Sequence, residues 1–255
     1  MAFEELPLEP LWQRRTRAPA HRESLPLVEW VGSRLARGVG LDVPDAVLLH
    51  MPDGMPPALV VERFDIRPQP DDPRWLAMED MCSVLDLAPH DKYTGTIERV
   101  AKAVRALSTS PEAELLVLLR RVLFAWRIAD GDMHLKNMAL LKTGYRGETT
   151  FRRVILAAVY DALTTRVFPG LHHDRMALKL GGKDDGLRRA DFVGLATRSG
   201  LRAGDAEAAI DDLLQRLSPA LDALAIPPAL QLGPEARATV ARTTEICRKR
   251  VADFD

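Results

Sequence analysis

Cysteine is almost absent from this chain of 255 residues: there are two, Cys82 and Cys247. They lie far apart with no Cys-x-x-Cys spacing, which argues against a disulfide framework or a structural zinc site and fits a reducing cytoplasm. Neither sign of charge is in surplus. Lys and Arg number 35 against 36 Asp and Glu, for a net charge of −1, so no global field draws the chain to nucleic acid or an anionic membrane. The local cluster Arg14, Arg15 and Arg17 reads as a solvated arm, and no direct nucleic-acid binding is expected from it. No apolar run reaches the roughly 18 residues of a membrane span. The amino terminus, MAFEELPLEP, lacks the basic-then-apolar pattern of a secretory signal. Lysine is missing from a long opening stretch, the first being Lys92, and the early glycines (Gly32, Gly38, Gly40, Gly54) do not cluster into a phosphate loop.

What is present is enough apolar residue, 47% of the chain, to bury one large core or two modest lobes. Residues 1–24 show weak periodicity and read as an arm or an irregular strand. From Ser24 the spacing of Leu27, Val28, Val31, Leu35 and Val39 predicts a helix, with Gly38, Gly40 and Pro44 as stop signals. Two β-type runs follow, Ala46 to Leu49 and Ala58 to Val61, around the turn-forming segment 51–57. A Pro- and Asp-rich loop at 68–73 precedes a mostly helical remainder. Residues 96–107 are amphipathic, and Ser110-Pro111 opens a helix whose Leu115, Leu116, Leu118, Leu119, Val122, Leu123 and Trp126 go nearly all the way round, as in a buried strut. Residues 138–142 and 152–159 predict a strand pair about a turn at 143–147. From 188 onward, amphipathic helices alternate with short loops such as Ala203-Gly204-Asp205 and Gly233-Pro234. The expected class is α+β: a small α/β lobe joined to a larger, mainly helical one.

The residues that carry chemistry follow the buried helix: Asp130-Gly131-Asp132-Met133-His134-Leu135-Lys136-Asn137. A carboxylate and an amide five residues apart, on a loop between a buried helix and a strand, suit phosphoryl transfer. The Asp accepts a substrate hydroxyl proton and the Asn oxygen ligates magnesium. The apolar run Val154 to Val159 then leads to Asp161, matching a second magnesium ligand on the returning arm of a hairpin. Either feature alone is common by chance, and an Asp after a strand is often only a turn or helix cap. Together and in order they form a signal. The adjacent His172 and His173 lack a third ligand at a telling spacing and read as solvated.

GDMHLKN followed by VYDALTT closely resembles the catalytic and metal-binding segments of HipA-like serine/threonine kinases. ALVVERFD (58–65), EDMCSVLDLAPHDKYTG (79–95) and MALKLGGK (176–183) are similar to that family in the same order. The resemblance runs from about residue 24 to the end. It implies a protein-kinase-like two-lobe fold, with a truncated small α/β lobe over 1–65 ending at a hinge and a helical lobe over 66–255. It implies ATP and Mg2+ as cofactors, Asp132 as catalytic base, and Asn137 and Asp161 as magnesium ligands. Backbone groups of Glu62 and Phe64 would meet the adenine, while His134 and Lys136 would orient phosphate or base; Lys136 is the better fit, as a cation near the transferred group.

The chain departs from the family in having no Gly-rich segment and no lysine ahead of the hinge, which leaves Glu29 without the lysine it would pair with. Lys92, lying beyond the hinge, cannot serve as that lysine. Weak or no activity from this chain alone is therefore expected, with a separate chain able to complete the front lobe. The partners implied are a HipB-like helix-turn-helix antitoxin and, as protein substrate, an aminoacyl-tRNA synthetase. Two alternatives stand: a catalytically inactive pseudokinase that binds a partner, and a small-molecule kinase like the aminoglycoside and choline kinases, which share a Gly-Asp-x-His-x-x-Asn loop. ERFD and MALKLGGK favour the HipA-like reading over the latter.

Overall fold

The computed structural model describes residues 24–52, 55–66, 74–228 and 230–252. The arm at 1–23, with Arg14, Arg15 and Arg17, and the loop at 68–73 lie outside the described residues. Helix α1 spans Leu25–Gly38 and buries Leu27, Val28, Val31 and Leu35, the residues whose spacing predicts it. Strands β1 (Ala46–Leu49) and β2 (Ala58–Val61) pair antiparallel, with Leu48 opposite Leu59 and Val47 opposite Val60. Leu48 and Leu59 pack on the core, whereas Val47 and Val60 face outward and stay exposed, as period-two alternation requires.

A second sheet has the order β3-β4-β5, all antiparallel. Its strands are β3 (Arg74–Asp80), β4 (Ala139–Tyr145) and β5 (Arg153–Leu156). Asp80 pairs with Ala139, and Leu140 with Leu156. Strand β3 passes directly into the single turn α2 (Met81–Val84), where the Asp80 side chain caps by accepting the Ser83 N–H at 3.0 Å.

Helix α3 (Ile97–Leu107) is capped by Thr96 and packs on α4 (Pro111–Arg127). Helix α4 buries Leu115, Leu118, Leu119, Val122, Leu123 and Phe124. Each such side chain contributes about 2 kcal/mol through burial, which makes the end of α4 a rigid anchor for the loop that follows. Around it lie α5 (Arg189–Arg198), α6 (Ala203–Asp222) and α7 (Pro234–Ala252), and α1 rests on α6 and α7. One hydrophobic cluster runs unbroken from Leu27 on α1 to Cys247 on α7.

Three local expectations are corrected. Strand β3 falls where mostly helix is expected, because Arg74–Asp80 has a mixed burial pattern with no clean alternation. Thr143, Gly144 and Tyr145 belong to strand β4 rather than a turn. Gly144 is there for close approach: a Cβ at that position would fall on the Trp75 indole, which tilts against Phe151 with ring centroids 4.4 Å apart. Ala203-Gly204-Asp205 forms the first turn of α6, where Asp205 complements the positive helix end. Among the described residues no helix is long and apolar enough to cross a membrane.

Candidate active site

Helix α4 ends at Arg127, and Ala129 takes a left-handed turn with φ of 56°. The chain therefore folds back as a short loop pinned at both ends before entering β4. Asp130, buried, accepts the Asp132 N–H at 3.0 Å. Burial drives its carboxyl well above the usual range, and the charges of Asp132 and Asp161 add to the shift. Thr165 Oγ1 accepts the Gly131 N–H at 3.0 Å and donates to the Ala129 carbonyl at 3.1 Å.

Asp132 projects from this frame half-exposed, and its Oδ1 accepts the Tyr93 hydroxyl at 2.6 Å. The His134 Nε2 stands 3.9 Å from the same carboxylate. The His134 ring is buried, edge-on to Tyr93, and its Nδ1 has no partner among the described residues. Burial pushes its pKa down, more than the Asp132 carboxylate pulls it up, so the imidazole is neutral near pH 7. Lys136 turns from Asp132 toward the sheet, where its Nζ meets Asp80 Oδ2 at 2.5 Å; that bond holds its pKa up.

Asn137 is the connecting residue. Its Nδ2 donates to the Asp132 carbonyl at 2.9 Å, and its side chain shares a small cavity with the Asp161 carboxylate, whose pKa it lowers. From below, the buried Arg121 donates to the Asn137 carbonyl at 2.7 Å and the Ala157 carbonyl at 3.2 Å, joining the loop to the segment that carries Asp161. Asp161 itself has φ of 56°, an uncommon backbone state for a non-glycine residue. Its pKa is raised, first by burial and then by the Asp132 charge, with the Asn137 side chain opposing. Its neighbour Tyr160 donates to the Lys136 carbonyl at 2.8 Å and stacks with Phe64 at 6.0 Å. Glu62 uses its N–H on the Asp45 carbonyl at 2.8 Å. Among the described residues its carbonyl and the Phe64 N–H have no partner.

The fold thus brings Asp132, His134, Asn137 and Asp161 together, seats Phe64 against Tyr160, and commits Lys136 to Asp80. Four further residues belong to the same place. Glu29, from α1, faces the Asp161 segment, and its carboxyl is pushed up to about 7, by burial first and the Asp161 charge second. Arg121 and Tyr93 lie 16 and 39 residues from the partners they hold, and no spacing rule in a single sequence links such pairs. Lys92 is the fourth. Its carbonyl accepts the Leu135 N–H at 3.1 Å, its ammonium sits 4.9 Å from the Tyr93 ring centre, and its charge lowers the pKa values of Asp161 and His134. The MALKLGGK stretch lies off the site, where the Lys179 carbonyl accepts the Ile97 N–H at the start of α3. His172 and His173 are exposed.

Among curated proteins, "Putative kinase Y4dM" and "Putative kinase Y4mE" of Sinorhizobium fredii are 30% and 31% identical to this chain over 151 and 153 residues. Those matches cover 55% and 58% of this chain and 34% of each relative, so the chain spans about a third of their length. Among solved structures it is similar to HipA of the Shewanella oneidensis toxin–antitoxin system, determined with HipB and operator DNA. The TM-score is 0.75 at 21% identity, covering 90% of this chain and 56% of that one. The Helicobacter pylori proinflammatory kinase CtkA aligns with TM-score 0.56 at 12% identity, covering 92% of this chain and 83% of that one. These likenesses establish a kinase-like α+β fold. Residues 13–221 match the HipA-like C-terminal domain, and the chain belongs to that family.

Proposed function

We propose that this chain carries the base-and-metal part of a HipA-like serine/threonine kinase site, with residues up to 65 forming the front lobe and 66–255 the helical lobe. The observation that carries this reading is the convergence of Asn137 and Asp161 beside Asp132: the Asn137 Nδ2 donates to the Asp132 carbonyl at 2.9 Å, and Asn137 and Asp161 line one small cavity. Asp132 accepts the proton of the acceptor hydroxyl; its carboxylate is half-exposed and carries the Tyr93 hydroxyl on Oδ1. Asn137 and Asp161 are hard oxygen donors and would hold Mg2+, which, when bound with ATP, neutralises charge on the phosphates.

The donor set fits such an ion: burial and the Asp132 charge raise the Asp161 pKa, and the Asn137 side chain and the Lys92 charge offset them only in part. Among the described residues no group of three or more His, Cys, Asp or Glu forms a complete metal cage, in keeping with an ion that takes its remaining ligands from phosphate and water. The Glu62 carbonyl and Phe64 N–H are the groups left to meet an adenine edge. Lys136, held by Asp80, supports the sheet end of the loop instead of reaching toward phosphate, and His134 orders Asp132 as a neutral ring.

By resemblance, the acceptor is a hydroxyl on an aminoacyl-tRNA synthetase and the restraining partner is a HipB-like antitoxin. Clamping of the α- and β-phosphates falls to a further polypeptide segment, because no lysine precedes Lys92 and, among the described residues, burial and the Asp161 charge dominate the environment of Glu29. That same Glu29 favours, as second reading, a pseudokinase that binds a partner and transfers nothing.

Calorimetric titration of Mg-ATP into wild type and Asp161→Ala tests the site, with saturable binding expected only in wild type. Transfer of labelled phosphate, with a front-lobe segment supplied, should fall about 10²- to 10⁴-fold in Asp132→Asn. Binding without any transfer would favour the pseudokinase; no binding at millimolar ATP would end the claim that this chain by itself forms a nucleotide site.

A further inference from the structure

The Tyr93 hydroxyl takes up Oδ1 of Asp132, one of the two oxygens that could receive an acceptor hydroxyl. It approaches Oδ1 at 2.6 Å, the length of a charge-assisted O–H···O⁻ bond. The phenol is not a core residue that happens to touch the site, since 49% of its surface is exposed. It is nonetheless held from several sides. The Lys92 ammonium stands over one ring face and the buried His134 ring meets it at 76°, while the Lys92 carbonyl ties this stretch to the catalytic loop through Leu135. Its surroundings also keep the phenol protonated: burial and the charges of Asp132, Asp174 and Asp161 all raise its pKa. A group that donates and cannot readily ionise mimics a serine or threonine hydroxyl at the same carboxylate.

We infer that Tyr93 is a gate on the catalytic base: its phenol caps Asp132 against water and must swing outward before an acceptor hydroxyl can bind. This rests on the reading of Asp132 as the base. The half-exposed ring has solvent on its outer side to move into, and the displaced bond is replaced by an equivalent one from the acceptor, so opening costs little once acceptor is present. Without acceptor, the cap prevents the base from activating water, which would hydrolyse nucleotide unproductively.

Two measurements on the full chain decide the matter. The first is nitration by tetranitromethane, mapped by peptide mass, which reads free and ionisable phenol. Tyr145, with 37% of its surface exposed, serves as internal reference. Tyr93 should react much more slowly than Tyr145 in wild type and become reactive in Asp132→Ala, with Tyr145 unchanged. Equal reactivity of Tyr93 in wild type and Asp132→Ala would show that the bond is not held, and would overturn the gate whatever the chain's activity. The second, run with the front-lobe segment supplied and in a pair that hydrolyses nucleotide measurably, is acceptor-free hydrolysis of Mg-ATP by Tyr93→Phe, which keeps the ring on Lys92 and His134 and deletes only the hydroxyl. Hydrolysis should rise at least several-fold over wild type, and adding Asp132→Asn should abolish the rise. Unchanged hydrolysis in a variant that binds Mg-ATP normally would overturn the gate, as would phosphate appearing on Tyr93 itself, which would make the phenol an acceptor. Absence of Mg-ATP binding in both proteins would count against the kinase reading, leaving nitration to judge the gate.

Discussion

Arg121 illustrates how one side chain off the reacting surface sets the geometry on it. Fully buried, it gives two hydrogen bonds to the carbonyls of Asn137 and Ala157, and burial lowers its pKa. Two effects compete when it is removed. Relief of a buried charge favours an apolar substitute, whereas two buried carbonyls lose a charged donor, at roughly 1–3 kcal/mol for the unsatisfied groups. With both carbonyls in the dry interior the second effect wins. Arg121→Met is expected to lose about 1–3 kcal/mol in urea denaturation and to weaken Mg-ATP binding, because the Asn137 backbone is released from the Asp161 segment. A variant with lowered stability and unaltered nucleotide affinity would show that Arg121 serves the core alone.

At the scale of elements, the seating of α1 against the Asp161 segment matters most. Gly32 lies on the buried face of α1, and a Cβ there would fall on the Ala162 carbonyl oxygen. Alanine is the better helix former by about 1 kcal/mol, so an isolated helix would gain from Gly32→Ala. Here the clash is with backbone, which cannot rotate away, and overpacking of this kind costs typically 1–3 kcal/mol. The two substitution effects oppose, and the clash prevails: Gly32→Ala should lower the thermal midpoint, and α1 would move off Asp161 together with Glu29. A raised midpoint would mean that α1 rests more loosely than described. Helix α1, strands β1 and β2, and helices α3 and α4 were legible beforehand, because their periodicity, caps and prolines are local signals. Strand β3 was not. Its sequence Arg-Trp-Leu-Ala-Met-Glu-Asp becomes a strand by pairing with β4, about sixty to seventy residues on, and no propensity encodes that partner.

For the whole molecule, a net charge of −1 leaves no global field, so strong pH dependence must come from local crowding. Glu29, Asp130 and Asp161 all have carboxyl pKa values raised by burial and by one another or Asp132. A carboxyl that holds its proton more tightly folded than unfolded stabilises the fold below its unfolded pKa, and that contribution is lost as pH rises through the folded one. For Glu29 the window runs from 4.5 to about 7. In metal-free protein, Glu29→Gln keeps a polar side chain of nearly the same shape facing Asp161 and removes the charge. Its stability should match wild type near pH 4.5 and exceed it by roughly 1–2 kcal/mol at pH 8, allowing for partial solvation. Chemical denaturation at both pH values checks this; an equal gap at both would assign the effect to packing.

The sequence by itself determined the family, the α+β class and the order of Asp132, Asn137 and Asp161, because these depend on neighbours close along the chain: a buried helix, a loop of fixed length and a returning strand. It also carried Glu29 as a carboxylate in search of a cation. Only the tertiary structure decided that Lys136 answers to Asp80, that Arg121 braces Asn137, that Lys92 returns to the site from beyond the hinge, and that Tyr93 closes over Asp132. Each of those is a contact between segments far apart in sequence, made by the packing of α1, α3 and α4 around one core, and no local pattern in the chain specifies which distant side chain will meet which.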